Sequence, residues 1–340
     1  MLDRDPSLGF CWWGMPGEII MTPISPKWTT ELLSLLLDGS SEEMCRRALD
    51  LKTEHTPASL YRYRKPTSLD EIRSNTIWLS APSKFNDPFD SAVSIDLAPA
   101  MQASLAGADA RSKFASADPA RLAAFVQAED KLASLDELFA AAAAKRNGEE
   151  KRPRFSTLFR QFLDEQSAGL TNVFSQGWQR RLKVASFTEV SDSLVLWSHY
   201  AQNHEGFRIE YNFSALGTSD PARQALFPVI YSPQRLDLGE QLASVKRGGP
   251  QNPMNIALAA IHKSPDWSYE REWRLVQVGH ECDEGIQVSM FAPSSVLVGA
   301  RATSQLRDEI CRLAAMNGFS VHQMDLSPRQ FRLESRKIIG

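Results

Sequence analysis

Two glutamates, Glu270 and Glu272, have the residue type and position best suited to catalysis in this sequence. They stand in the segment YEREWR (Tyr269–Arg274), directly before the apolar run Leu275–Val278. If the strand begins this early, both carboxylates share a face with Arg274, because strand side chains alternate. A carboxylate beside a sugar stabilises the positive charge that develops when its glycosidic bond breaks. We predict Glu272, or else Glu270, as the catalytic residue, and expect Glu272→Gln to leave the melting temperature nearly unchanged.

A second group of residues could bind a phosphate-containing ligand. The segment LYRYR (Leu60–Arg64) alternates as a strand and places Arg62 and Arg64 on one face, with Tyr63 between them. An arginine fork bonds two oxygens at once, which suits a pyrophosphate. Ser186 adds a hydroxyl in the alternating stretch Val184–Thr188. We predict that Arg62, Tyr63, Arg64 and Ser186 contribute to ligand binding.

The loop FNDPFD (Phe85–Asp90) is a further candidate for ligand contact. Pro88 fixes one backbone angle, and Asn86 and Asp87 can bond either a ligand or their own backbone. A purely structural loop beside a sheet edge is the alternative interpretation. Asn86 and Asp87 are included in the predicted site.

The segment WSHYAQNHEG (Trp197–Gly206) combines aromatic and polar side chains in a short predicted helix that ends at Gly206. Trp197 and Tyr200 offer flat faces for stacking on a ring, and His199 offers two ring nitrogens. The structural alternative is a core tryptophan and a hydrogen-bonded surface histidine. Trp197, His199 and Tyr200 are nevertheless predicted to contact the ligand.

These candidates need a sheet to bring them together. Mixed strands and helices with long insertions predict an α+β fold, with a mixed but mainly antiparallel sheet at its core. We predict that the strands at Leu60–Arg64, Val184–Thr188 and Glu272–Val278 are neighbours in that sheet.

The rest of the chain divides into four predicted parts. Residues 1–56 read as an N-terminal arm with short helices, and residues 57–330 as the α+β domain. Within that domain, the alanine-rich residues 97–182 form a helical insertion, which is a candidate lid or binding surface for a protein partner. Residues 331–340 are a C-terminal tail.

Composition narrows the class of protein. The chain has 340 residues, 43% of them hydrophobic, and a formal net charge of -3. These values suit a soluble globular protein and give no general footprint for nucleic acid, although they leave room for a local basic patch. The four cysteines are widely spaced and form no zinc or redox motif. With no signal-peptide pattern and no apolar run of about 18–20 residues, we expect a cytoplasmic protein without a membrane segment.

Taken together, the motifs FNDPFD, SFTE (Ser186–Glu189), WSHYAQNHEGFRIEY (Trp197–Tyr211) and YEREWR resemble a widespread prokaryotic family of proteins of unknown function. The resemblance runs from about Leu60 to Leu326, apart from the helical insertion. The combination is specific, whereas each motif alone is weak. The family carries no assigned activity.

More remotely, the order of the motifs is similar to the ADP-ribosyltransferase superfamily, which includes bacterial enzymes that modify DNA bases. In that superfamily an Arg or His on the first strand holds NAD, a second strand carries a Ser, Thr or Tyr, and a Glu before a late strand does the chemistry. The resemblance places these roles on Arg62 or Arg64, on Ser186, and on Glu272 or Glu270. It implies NAD as substrate and either a macromolecular acceptor, protein or nucleic acid, or hydrolysis of NAD. A role in phage defence or as a toxin is compatible with the resemblance.

Two other classes of function fit the residues. Asp87, Asp90, Glu270 and Glu272 could hold Mg²⁺ in a metal-dependent nuclease or phosphodiesterase, although they form no compact acidic motif. The other class is a non-catalytic, ligand-sensing scaffold. Protection from thermal unfolding separates the three classes. NAD should protect the transferase, Mg²⁺ or Mn²⁺ should protect the metal-dependent enzyme, and neither should protect the scaffold.

Overall fold

The structure, a computed structural model, describes residues 26–38, 41–106, 114, 117–138, 155–246, 248–249, 252 and 254–339. It has a mixed α+β fold whose central sheet is mainly antiparallel, which confirms the predicted fold class. The predicted N-terminal arm up to residue 25 and parts of the predicted insertion lie outside the described residues.

The strands of the described residues form one large sheet and three two-stranded sheets. Their bounds are β1 (Ser59–Arg64), β2 (Thr76–Leu79), β3 (Val93–Ser94), β4 (Leu182–Thr188), β5 (Phe207–Asn212), β6 (Leu226–Pro228), β7 (Ile230–Tyr231), β8 (Leu236–Asp237), β9 (His262–Lys263), β10 (Glu272–Val278), β11 (Ile286–Ser289), β12 (Ser295–Val298), β13 (Ser320–Leu326) and β14 (Leu333–Ile339). The large sheet has the order β14-β13-β12-β5-β1-β4-β10-β6, and its pairs are antiparallel apart from β12 with β13. The small sheets pair β2 with β11, β3 with β8, and β7 with β9.

The helices cover this sheet and build the insertion. Their bounds are α1 (Lys27–Asp38), α2 (Glu42–Glu54), α3 (Asp70–Arg73), α4 (Ala98–Ala106), α5 (Pro119–Gln127), α6 (Phe155–Arg181), α7 (Leu194–Tyr200), α8 (Pro221–Gln224), α9 (Gly239–Lys246), α10 (Asn255–Ile261) and α11 (Ser304–Asn317). Side chains start several of them: Ser193 Oγ accepts a hydrogen bond from Leu196 N and so caps α7. Within the described residues, no helix is both long and apolar enough to cross a membrane.

Apolar side chains alternate between the two faces of the central sheet. In β4, Phe187 joins a buried cluster that includes Ile310 of α11, whereas Val184 joins a second cluster that includes Leu36 of α1. Apolar side chains therefore cover both faces of the sheet.

The predicted division of the chain stays a prediction, but the structure shows how each part is built. The N-terminal helices bury Leu32 and Leu36 in the second sheet cluster, so they share its core. The helices of the insertion have a separate buried cluster that contains Phe125 and Leu163. The segment predicted as a tail contains β14, which pairs with β13 and extends the sheet.

The sheet divides between β1 and β4. These strands pair at a single register position, Tyr61 with Thr188, although β1 pairs along its whole length with β5, and β4 along its whole length with β10. Past that position, a side chain bridges the two strands: Arg62 Nη1 donates to the Ser186 carbonyl at 3.0 Å. The predicted neighbours β1, β4 and β10 are thus confirmed, and the opening between β1 and β4 forms a cleft.

Candidate active site

The cleft is a cavity of about 230 Å³ that collects residues from distant parts of the sequence. Residues of β1, β4, α7, the start of β10 and the loop after β2 all line it. The cleft brings together eight of the eleven predicted site residues, namely Arg62, Tyr63, Arg64, Asn86, Ser186, Tyr200, Glu270 and Glu272.

Both candidate glutamates converge on a buried lysine. Glu270 ends a 3₁₀ turn and Glu272 begins β10, with Arg271 between them in the left-handed conformation. Lys263 Nζ donates to Glu270 Oε2 at 2.7 Å and to Glu272 Oε2 at 2.8 Å. Burial disfavours the lysine charge, but the neighbouring carboxylates outweigh burial and raise the pKa of Lys263. The lysine therefore stays charged and fixes both glutamates.

Arg274 holds both Glu272 and Asp90 through its guanidinium. Its side chain is fully buried; its Nε lies 2.8 Å from Glu272 Oε1, and its two Nη atoms each lie 2.7 Å from an Asp90 oxygen. Burial alone would raise the pKa of Glu272, but Arg274 and Lys263 outweigh it and lower that pKa to about 2. Glu272 is thus a structural anion whose charge is already compensated.

Glu270 is held differently. Its Oε1 accepts a hydrogen bond from the Tyr200 hydroxyl at 2.6 Å, and its Oε2 shares Lys263 with Glu272. Burial and then the Glu270 charge raise the pKa of Tyr200, so the phenol stays a donor at neutral pH. Three carboxylates face two cations in this cluster, and of these three carboxylates Arg274 pairs with Asp90 and Glu272 but not with Glu270. The excess negative charge therefore lies at Glu270.

The β1 side of the cleft carries the opposite excess. The Nε atoms of Arg62 and Arg64 each lie 2.8 Å from a different oxygen of Glu71, a buried residue of α3. Two arginines thus share one carboxylate. The Nη atoms of Arg64 have no hydrogen-bond partner among the described residues, and 28% of its side chain is exposed. Burial and the adjacent Arg62 charge lower the pKa of Arg64, so an anionic ligand would relieve that repulsion.

Two uncharged polar side chains are open to a ligand. Ser186 is exposed, although its neighbours Ala185 and Phe187 are buried, and its hydroxyl has no partner in the described part of the chain. Asn86 is likewise exposed where it lines the cleft. Both can therefore hydrogen-bond a bound molecule.

The structure corrects the placement of three predicted site residues. Asp87 is buried and accepts a hydrogen bond from Phe89 N at 2.8 Å, so it stabilises its own turn. Trp197 is fully buried edge-on against Tyr63, at 5.1 Å between ring centroids. His199 is exposed and does not line the cleft. These side chains follow the structural alternatives: a turn, a core tryptophan and a surface histidine.

Two residues that line the cleft, Lys263 and Trp78, were not among the site residues predicted from the sequence. Lys263 carried no local signal, because the 3₁₀ turn at Pro265–Glu270 folds the chain back and brings it beside the glutamates. Trp78 is 49% exposed at the cleft, and alternation between the buried Ile77 and Leu79 could have revealed its outward position. Its indole lies against Gly285, where any Cβ would come within 2.5 Å of the ring.

The carboxylates proposed for a metal site are engaged with cations. Asp90 is held by both Nη atoms of Arg274, and Glu272 by Arg274 and Lys263, so a metal ion would have to displace buried cations. Among the described residues, no group of three His, Cys, Asp or Glu side chains is arranged to hold a metal ion. The geometry disfavours a metal-dependent nuclease.

The ion pairs of Glu272 lead to a prediction that replaces the expectation of an unchanged melting temperature. Glu272→Gln should lower the free energy of unfolding at pH 7 by about 3 kcal/mol or more, because it breaks the buried ion pairs that Glu272 forms with Arg274 and Lys263. The folded pKa near 2 lies below the ordinary value of 4.5, so this stabilisation is present above about pH 5 and is lost as the pH falls towards 2. The difference between variant and wild type should therefore shrink in acid.

Thermal unfolding followed by circular dichroism at pH 7 and at pH 3 measures this difference. Glu334→Gln, an exposed change on β14, is the matched control and should leave stability within about 1 kcal/mol. A Glu272→Gln melting temperature equal to that of the control at pH 7 would refute the structural role.

One comparison with known proteins finds a similarity over the part of the chain that supplies the β10 side of the cleft. The protein-family model described as "Protein of unknown function (DUF2971)" matches residues 196–275, a span that contains Tyr200 and both glutamates. No curated protein and no solved structure matches the chain. This match over residues 196–275 confirms the predicted resemblance to a family of proteins of unknown function.

Proposed function

We propose that the cleft binds NAD and that the protein transfers ADP-ribose from it to a macromolecular acceptor, or to water. The separation of charge in the cleft carries this proposal. The β1 side has an excess positive charge at Arg64, and the β10 side has an excess negative charge at Glu270. NAD combines an anionic pyrophosphate with a cationic nicotinamide ring, so each end of the ligand meets the opposite charge.

The residues then divide the chemistry among them. The free Nη atoms of Arg64 bind the pyrophosphate, and the exposed indole of Trp78 stacks on a flat ring. Glu270, positioned by Tyr200 and Lys263, lies beside the ribose.

The reaction breaks the bond between ribose C1′ and the nicotinamide nitrogen. The bonding electrons leave with neutral nicotinamide, and Glu270 stabilises the positive charge that develops on the ribose. The acceptor attacks C1′ and gives its proton to Glu270. The Ser186 hydroxyl, which lines the cleft, bonds the ribose or the nicotinamide amide in this proposal.

The first test is binding and turnover of NAD by the wild type. NAD should raise the melting temperature, and nicotinamide should appear in the solution. Arg64→Lys keeps a positive charge near Glu71 but loses the two-pronged donor, so it should weaken NAD binding about tenfold while the ligand-free melting temperature changes little. Arg73→Lys, an exposed change outside the cleft, is the control.

The outcomes separate the classes of function. Protection by Mg²⁺ or Mn²⁺ with none by NAD would favour the metal-dependent class despite the ion pairs. No protection by either ligand and no nicotinamide would leave the ligand-sensing scaffold.

The biological setting stays a prediction. Phage defence or a toxin role rests on the resemblance to ADP-ribosyltransferases alone. A protein partner on the insertion is also a prediction, which the exposed Phe162 and Val173 of α6 support as apolar contact positions.

A further inference from the structure

A second cavity, of about 560 Å³, lies on the other side of α7 from the cleft. It is bounded by α7, by the turn after β12, and by the hairpin that joins β13 to β14. The residues that matter for its chemistry are Leu194, Ser198, Arg301, Arg329, Phe331 and Arg332.

Three arginines that have no ion-pair partner among the described residues surround this cavity. The side chains of Arg301, Arg329 and Arg332 are exposed, and no carboxylate or other hydrogen-bond acceptor pairs with them in the part of the chain that the structure describes. No acidic residue lines the cavity among the described residues. The chain as a whole has a net charge of -3, so this patch is a local reversal of sign. Its field attracts a polyanion with closely spaced charges.

An aromatic side chain stands among these charges. Phe331, at the tip of the β13–β14 hairpin, is fully exposed, and Leu326, the last residue of β13, is 57% exposed. A phosphate-binding surface gains nothing from a phenyl ring in water, whereas a nucleobase stacks on such a ring. The ring can stack only on a base with a free face, which a single strand offers and an intact duplex does not.

The opposite rim of the cavity is conformationally fixed. Gln202, Asn203 and His204 all have left-handed backbone angles, with φ between 49° and 69°. The His204 carbonyl accepts a hydrogen bond from Arg301 N at 3.0 Å, which ties the turn to one of the arginines. Arg301 is thereby held at a set position across from the hairpin.

We propose that this second cavity binds single-stranded nucleic acid, with Arg301, Arg329 and Arg332 on successive phosphates and Phe331 stacked on a base. Binding does not depend on the proposed function of the cleft. The further suggestion that the bound strand accepts ADP-ribose rests on the proposed function of the cleft. The fold supports such proximity, because Leu196 and Tyr200 line the cleft while Leu194 and Ser198, on another side of the same helix, line this cavity.

Fluorescence anisotropy with a labelled single strand of about 12 nucleotides tests the binding, with no NAD present. We expect saturable binding that weakens as salt rises from about 50 to about 200 mM. Phe331→Ala should weaken binding about 5- to 150-fold, because it removes one stacked base. Arg329→Gln combined with Arg332→Gln should lower the slope of log affinity against log salt by about 1.4, because two phosphate contacts are lost.

Arg336→Gln is the matched control, since Arg336 lies on the same hairpin but pairs with Asp325 and does not line the cavity. It should bind as the wild type does. Wild-type protein that binds no strand at low salt overturns the proposal. A second result would also overturn the proposal: heparin or a duplex competes as well as the single strand does, and Phe331→Ala leaves binding unchanged. That result would show a surface that binds any polyanion. A protein that binds the strand but releases no nicotinamide contradicts only the proposed function of the cleft.

Discussion

Replacing Arg274 by methionine should lower the free energy of unfolding by about 3–5 kcal/mol or more. Methionine keeps an unbranched apolar stem but lacks the guanidinium and its charge, so Asp90 and Glu272 would stay buried without the group that now holds both. The loss is large beside the roughly 5–15 kcal/mol that stabilise a typical domain. Urea unfolding followed by circular dichroism should show a much lower midpoint, or a chain already partly unfolded in buffer.

A nearby arginine provides the control for this change. Arg271 is 65% exposed and pairs with Glu189, so Arg271→Met should cost no more than about 1 kcal/mol. Adding Asp90→Asn to Arg274→Met should restore part of the stability, because it removes one of the two uncompensated charges. Equal midpoints for the Arg274 and Arg271 variants would show that the buried network contributes little.

Replacing Glu270 by glutamine should slow nicotinamide release by about 10²-fold or more, the largest effect on activity that we expect. Glutamine keeps the size of the side chain and an acceptor for the Tyr200 hydroxyl, but it removes the excess negative charge that faces the ribose. Lys263 keeps its contact with Glu272, so the protein should remain folded. The rate at saturating NAD, measured beside the Glu334→Gln control, gives the result.

The comparison with Glu272→Gln decides between the two glutamates. We expect that change to act mainly on stability, as its buried ion pairs indicate. Wild-type turnover by a folded Glu270→Gln protein, together with a slow Glu272→Gln protein, would return the catalytic role to Glu272.

Local patterns predicted the frame of the fold well. The alternation in Leu60–Arg64 and Val184–Thr188 predicted β1 and β4, and the shared face of Glu272 and Arg274 appeared as expected. These features depend on the period of a strand, which a short sequence contains in full. The opening between β1 and β4 could not be predicted from local patterns. It depends on the pairing of β1 with β5 and of β4 with β10, which lie far apart in the sequence.

The chemistry of the site was harder to predict, because burial and pairing arise from distant parts of the chain. Trp197 and Trp78 are the same residue type, yet one is in the core and the other is open at the cleft. Glu71, which holds both Arg62 and Arg64, comes from α3, and Asp90, which holds Arg274, comes from 184 residues earlier. The sequence therefore showed which residues could do chemistry, but not which charges were already neutralised.

The placement of α7 has a thermodynamic consequence. This helix of seven residues separates the cleft from the second cavity and contributes side chains to both. A ligand that shifts the helix in one cavity changes the walls of the other, so the two binding equilibria are linked. Linkage is reciprocal: whatever factor the first ligand applies to the affinity for the second, the second applies to the affinity for the first. Cooperativity between the two ligands would need no change elsewhere in the sheet.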